Sequence, residues 1–300
     1  MKRGLILGFI VAVSFGLVSV ATQVQLPPIG AIEKLADNLY VVPGGGGNSA
    51  VYVAADGVVI VDTKFPDQGQ PLLDRIRSVT DKPITTIINT HMHGDHTGGN
   101  AFYPANVEIV TQENAGTAMR AMRAFQDAGT RHGQPDRVFK DRLTLFSGND
   151  AIDLYFFGLA HTNGDAFVVF RRARVMHAGD VFQTTATAAP YVDVNGGGSV
   201  LNYGNTIAKT VAGVTNVDRV ITGHDAVRPW SEFVLFGEFN RAIADHARAS
   251  LKAGKTPQQA AAEFNPGDKF RGYELTPPGP GARGGAAGNF TTMYQELQKQ

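Results

Sequence analysis

The run His91-Met92-His93-Gly94-Asp95-His96 places three imidazoles and one carboxylate within six residues. Imidazole nitrogen and carboxylate oxygen are the donors Zn²⁺ takes when no thiolate is offered, and the chain contains no cysteine. Side chains alternate along an extended turn, so there His91 and His93 point to the same side. Asp95 and His96 are adjacent and diverge, which lets them serve a second cation beside the first. Three further candidates follow apolar runs. His161 comes after Ile152-Asp153-Leu154-Tyr155-Phe156-Phe157, Asp180 lies in Ala178-Gly179-Asp180-Val181-Phe182, and His224 follows Val220-Ile221-Thr222-Gly223. A strand that ends in a ligand holds it rigidly at a sheet edge, which is how distant residues reach one site. Two cations about 3.5–4 Å apart can share one water and bring its pKa toward about 7. The hydroxide so formed would hydrolyse an amide, ester or thioester directly, with no covalent enzyme intermediate.

The elements that must position these residues alternate between strand and helix patterns. Residues 39–42, 50–53 and 58–61 are β-rich, with Asp56-Gly57 as a hairpin turn. Helical periodicity over 71–79 gives way to a strand at 84–89, directly before the histidine run. The Ala- and Met-rich stretch 112–126 predicts a helix. A second β-rich half spans about 143–182, followed by a helix near 203–211, a last strand at 217–222 and a long helix at 230–252. Two halves, each strand-rich and then helical, predict an α/β (α+β) fold: a four-layer αβ/βα sandwich with helices outside two packed sheets. Residues 22–300 read as a single catalytic domain, and 300 residues suffice for its core.

The order of these motifs resembles the metallo-β-lactamase superfamily: H-x-H-x-D-H, a His after a strand, Gly-Asp after a strand, then Gly-His. The resemblance runs from about Leu39 to His224 and includes Val61-Asp62-Thr63. It implies that His91, His93 and His161 hold one zinc, that Asp95, His96 and His224 hold a second, and that Asp180 bridges the two. It also implies that Asp62 buttresses the ligand loop, that the sheets form the four-layer fold, and that Asp95 orients the attacking hydroxide. Two Zn²⁺ ions per chain are therefore expected. Zinc is favoured over iron because diiron relatives carry Glu where this chain has His93, and they carry a flavin domain that nothing here resembles. The expected partner is a small molecule with a hydrolysable carbonyl, with β-lactam or lactone opening leading. Branches of the family place Lys or Tyr three residues after the Asp180 position, where this chain has Gln183. The alternatives are a glyoxalase II-like thioester hydrolase, an iron redox protein and an inactive metal-binding relative.

Lys2-Arg3, an apolar run over residues 4–20 and Ser19-Val20-Ala21 read as a signal peptide over residues 1–21, giving a periplasmic or secreted protein with no stable membrane insertion after cleavage. Export without cysteine leaves the fold to its core and its metals. Lys plus Arg and Asp plus Glu both number 27, so charge gives no case for a nucleic-acid partner. The one tight basic cluster, Arg171, Arg172 and Arg174, reads as a turn between strands. Residues 44–47, four glycines, read as a mobile flap or a flexible turn, and polar residues 131–141 as a surface excursion or lid in which His132 is solvated. Tyr191 or Asn195, in the loop at 190–199, could donate a hydrogen bond to a developing oxyanion. His177 and His246 have no place in the ligand pattern and read as structural. The Pro- and Gly-rich stretch 276–288 reads as loose, before a short terminal helix.

Overall fold

Val58-Val59-Ile60-Val61 is apolar at every position, a pattern that belongs to a strand covered on both faces. The computed structural model describes residues 28–183, 190–273, 275 and 285–299, and it buries all four of these side chains completely. They lie in a sheet of seven strands: β1 (Glu33–Ala36), β2 (Leu39–Val42), β3 (Ser49–Val53), β4 (Val58–Val61), β5 (Ile84–Ile88), β6 (Glu108–Gln112) and β7 (Arg137–Phe139), paired in that order. Strands β1 to β4 pair antiparallel and β4 to β7 parallel. The second sheet holds β8 (Arg142–Leu145), β9 (Ile152–Tyr155), β10 (Phe167–Phe170), β11 (Val175–His177), β12 (Arg219–Ile221) and β13 (Arg228–Pro229), with only β11 and β12 parallel.

Alternation along the strands sorts the core into three interfaces. Val58 and Ile60 face outward onto Leu72 and Ile76 of α1 (Gly69–Arg77). Val59 and Val61 face inward and meet Ile152, Leu154, Val168 and Phe170 of the second sheet. That sheet's far face packs Phe167, Val169 and Met176 against a helical layer. After α2 (Gly94–Thr97) and α3 (Glu113–Ala121), which packs on β6 and β7, this layer is built from α4 (Val200–Gly213), α5 (Trp230–Lys252), α6 (Pro257–Glu263) and α7 (Gly285–Leu297). The four-layer sandwich expected from the sequence is the observed architecture. Ser199 caps α4 by accepting from Asn202 N–H, and Thr256 with Gln259 forms a capping box on α6, so helix starts are set locally. Among the described residues no helix is long and apolar enough to cross a membrane.

Several local expectations change. Residues 131–141 are a 3₁₀ turn followed by β7, the edge strand of the first sheet, so this segment is an element of the sheet rather than a lid. His132 is half-buried with Nε2 on the Ala101 carbonyl at 3.0 Å, and is not simply solvated. Residues 285–288, expected loose, are the first turn of α7, while 276–284 and the signal segment 1–21 lie outside the described residues. The arginine cluster does sit on the turn between β10 and β11, where Arg171 pairs with Asp153 and Arg174 with Asp218. His246 ties α5 to α6 through the Ala260 carbonyl at 2.9 Å.

The glycine loop at 44–47 is neither a free flap nor a plain turn. Lys64, fully buried at φ 66°, reaches beneath it and donates from Nζ to the carbonyls of Val42, Gly44 and Gly47 at 2.8, 2.7 and 2.9 Å. Lys64→Met leaves these carbonyls without a donor and is expected to lower the unfolding free energy by about 1–3 kcal/mol. A denaturant midpoint that moves no further than that of the exposed-site variant Lys209→Met would show that the clamp contributes nothing.

Candidate metal centre

Strand ends from both sheets meet at one edge of the sandwich, and each delivers a polar residue to it. From the first sheet, β4 delivers Asp62 and β5 delivers the run from His91 to His96. From the second, the loop after β9 carries His161, β11 ends just before Asp180, and β12 ends just before His224. The histidine run changes conformation halfway. His93 is extended (φ −64°, ψ 146°), and its carbonyl then accepts from the N–H groups of His96 and Thr97 to open the single turn of α2. His91 and His93 therefore aim at one point, and Asp95 and His96 at another.

Two donor groups result. In the first, His93 Nδ1 lies 3.1 Å from His91 Nε2 and 3.0 Å from His161 Nε2, and Asp180 Oδ2 lies 3.5 Å from His161 Nε2. In the second, His224 Nε2 lies 3.4 Å from His96 Nε2 and 3.2 Å from Asp95 Oδ2. Asp180 Oδ1 completes it, 3.1 Å from His96 Nε2 and 3.4 Å from His224 Nε2. The two oxygens of this one carboxylate face different groups. Each group draws donors from both sheets.

In four of the five rings, all but His224, the nitrogen opposite the inward one meets a hydrogen-bond partner, so each of these rings in its neutral form takes the tautomer whose inward nitrogen carries a lone pair. His96 Nδ1 donates to Asp62 Oδ2 at 2.7 Å, and His161 Nδ1 to the Tyr191 carbonyl at 2.8 Å. His93 Nε2 donates to Asp193 Oδ2 at 2.9 Å. Thr90 Oγ1 spends its hydrogen on Asp62 at 2.6 Å and so accepts from His91 Nδ1 at 3.1 Å. Lone pairs converging at these separations match a tetrahedral cation with bonds of about 2.0–2.1 Å, whose ligands stand about 3.3 Å apart. Asp180 Oδ1 is buried with no hydrogen-bond partner, which a cation would supply. The donor set fits a divalent metal in both groups.

Charge agrees with this. Burial alone would raise the Asp180 pKa, but His96, His224 and His161 hold it well below the usual carboxylate range. Burial would lower His224, yet Asp180 and Asp95 hold it up at about 9 in the metal-free chain. A cation held by the second group would displace that proton.

The metallo-β-lactamase superfamily model matches residues 42–230, a span that contains every donor above. The chain belongs to this superfamily. The type 2 metallo-β-lactamase of Elizabethkingia meningoseptica is 24% identical over 221 residues, covering 71% of this chain and 85% of that protein. A linear primary-alkylsulfatase of a Pseudomonas strain is 36% identical over 61 residues, 20% of this chain and 12% of that one. The structure of the sec-alkylsulfatase Pisa1 from Pseudomonas sp. superposes with a TM-score of 0.71 at 14% identity, covering 89% of this chain and 50% of that chain. At that identity the last likeness concerns the fold.

Within this member of the superfamily, the residues around the donors show how the site is held. Asp62, fully buried at φ 62°, accepts from Thr90 N–H at 2.8 Å as well as from Thr90 Oγ1 and His96. It thus orients a ring in the second group directly and one in the first through Thr90. Gln183 donates from Nε2 to Asp180 Oδ2 at 3.1 Å. His177 is no ligand: it is buried, donates from Nε2 to the Asn48 carbonyl and accepts Gly179 N–H on Nδ1, both at 3.0 Å. Tyr191 acts on His161 through its carbonyl, while its side chain is 44% exposed at the rim, and Asn195 is exposed without a side-chain partner among the described residues. The Tyr191 ring also lies beside the His161 ring, with centroids 5.7 Å apart. Asp62→Ala is expected to lower metal affinity or turnover by about 10–100-fold without removing any donor. Unchanged zinc affinity and turnover would reduce Asp62 to an ordinary strand-end carboxylate.

Proposed function

We propose that this chain is an exported, zinc-dependent hydrolase that opens a carbonyl–oxygen or carbonyl–nitrogen bond, with a lactone or lactam ring as the leading substrate class. The observation that carries this reading is the division of Asp180 between two donor groups, beside a partly open Asp95. In this assignment His91, His93, His161 and Asp180 would hold one zinc, and Asp95, His96, His224 and again Asp180 would hold the other. Zinc, when bound, supplies Lewis acidity and a water acidic enough to attack near neutral pH. The Asp95 side chain is 23% exposed with Oδ2 toward His224, and is placed to orient the attacking water and accept its proton. Asp62, Thr90 and the Tyr191 carbonyl keep the rings in the tautomers that leave their inward nitrogens free. Residues 1–21 are read as the export signal.

The fold likeness to a sec-alkylsulfatase over 89% of the chain, with the short sequence match to a primary-alkylsulfatase, favours one second reading, cleavage of a sulfate ester. A single panel separates them. Mature chain loaded with zinc is assayed on a simple lactone, an aryl ester, a chromogenic cephalosporin, a glutathione thioester and a secondary alkyl sulfate, each with and without chelator. The expected result is two zinc ions per chain and chelator-sensitive turnover led by a ring substrate. A zinc content that stays at one or below after supplementation removes the two-metal assignment. Preference for the sulfate or the thioester replaces the substrate class.

A further inference from the structure

The loop at 190–198, which leads into α4, carries a carboxylate that the assigned chemistry does not use. Asp193 is fixed through its backbone: its N–H donates to the His161 carbonyl and its own carbonyl accepts from Gly198 N–H, both at 2.9 Å. Its side chain accepts from His93 Nε2 at 2.9 Å, on the ring edge opposite the donor nitrogen, yet remains 26% exposed. It stands at the mouth rather than in the floor. Its neighbours there are mostly apolar or small, with exposed Asn195 as a polar one. A Cβ on Gly196 would meet Met92 Cε and Asp193 Oδ2, each at 2.5 Å, so both side chains close on this glycine. Tyr191 and Val194, on either side of Asp193 in the loop, are 44% and 53% exposed. Among the described residues, no lysine or arginine forms an ion pair with Asp95, Asp180 or Asp193. Lys64 is turned away beneath the glycine loop on its three carbonyls.

We propose that Asp193 determines specificity: its carboxylate sets the His93 ring and places a fixed negative charge at the apolar rim, so that the site accepts uncharged carbonyl substrates and disfavours those bearing a carboxylate near the scissile bond. This rests on the hydrolase reading above and narrows it to neutral esters and lactones. A carboxylate is ionised at neutral pH, and a like charge brought to a cleft with low-dielectric walls is repelled much more than in bulk water. The metals attract an anion, but Asp193 offsets part of that pull on the side from which this loop borders the site. Asparagine in its place keeps an oxygen that can accept from His93 Nε2 while removing the charge, whereas alanine removes both.

The test compares zinc-loaded wild type, Asp193→Asn and Asp193→Ala on two aryl esters with the same leaving group, an acetate and a hemisuccinate that carries a carboxylate. Wild type is expected to prefer the acetate in kcat/KM, and Asp193→Asn to reduce the acetate-to-hemisuccinate ratio about tenfold, chiefly through the KM of the hemisuccinate. Asp193→Ala should reduce the ratio similarly and also lower kcat on both esters, because His93 loses its acceptor. Calorimetric titration with succinate gives a readout independent of turnover. Binding to the zinc-loaded protein should tighten about tenfold in Asp193→Asn. An unchanged ester ratio together with unchanged succinate affinity overturns the proposal. If wild type with two zinc ions cleaves neither ester, the hydrolase reading fails on its own, and the succinate titration alone decides whether Asp193 screens the cleft against anions.

Discussion

Asp180→Ala is expected to lose one equivalent of zinc and to cut kcat/KM on the order of 10³-fold or more, since both donor groups lose an oxygen at once. The fold should survive. Asp180 lies in a short 3₁₀ turn beyond β11, and the three apolar interfaces of the sandwich do not include it. His177→Ala, at the end of the same strand, is the informative contrast. It removes two buried hydrogen bonds and should cost about 1–3 kcal/mol of stability, yet leave zinc content near that of wild type. Metal analysis after gentle purification, with denaturant melts run in chelator, separates the two effects. Equal zinc loss in both variants would mean that the strand register, and the donor assignment with it, is wrong.

Gly223→Ala should be nearly as damaging, although glycine has no donor to lose. A Cβ at position 223 would stand 2.0 Å from Asp180 Oδ1 and 3.1 Å from the Gly179 carbonyl, so the bridging carboxylate must leave its place. Neither group can give way cheaply. The Asp180 oxygens are committed to both donor groups, and residue 223 is held by Asn48 N–H on its carbonyl and by its own N–H on Phe182 O. Zinc content is expected to fall to one or below, with turnover reduced on the order of 10²–10³-fold. Gly94→Ala is the control inside the histidine run itself. Nothing lies within 4 Å of a Cβ there, and position 94 opens a helical turn that alanine favours. Two zinc ions retained by Gly223→Ala would show that Asp180 can leave its place between the groups without loss of either metal.

The donors were legible in the sequence because histidine and aspartate announce their chemistry by type, and because period-two and helical spacing then sorts them in space. The sheets were legible for a similar reason: Val58-Val59-Ile60-Val61 has no polar face to offer solvent, so it needs a layer on each side. What stayed hidden depends on contacts made across the chain. Asp193 and Thr90 act on ring nitrogens set by the fold, and their residue types alone do not announce that role. β7 carries exposed Arg137 and Val138 and exists through its pairing with β6, not through a pattern of its own. Four glycines at 44–47 suggested freedom, and the residue that removes it, Lys64, lies 17 to 22 positions from the carbonyls it holds. The same distance effect hides Gly223, whose requirement for glycine comes from an oxygen on another loop.

Because each donor group takes ligands from both sheets, a bound cation does for this cysteine-free chain what a disulfide does elsewhere, with the difference that the link can be undone by chelation. The two layers cannot slide or part at this edge until the ion leaves. Persistence of the folded chain would then become a matter of escape rate, with its half-life in denaturant set by the free metal ion in the surroundings as much as by the apolar core.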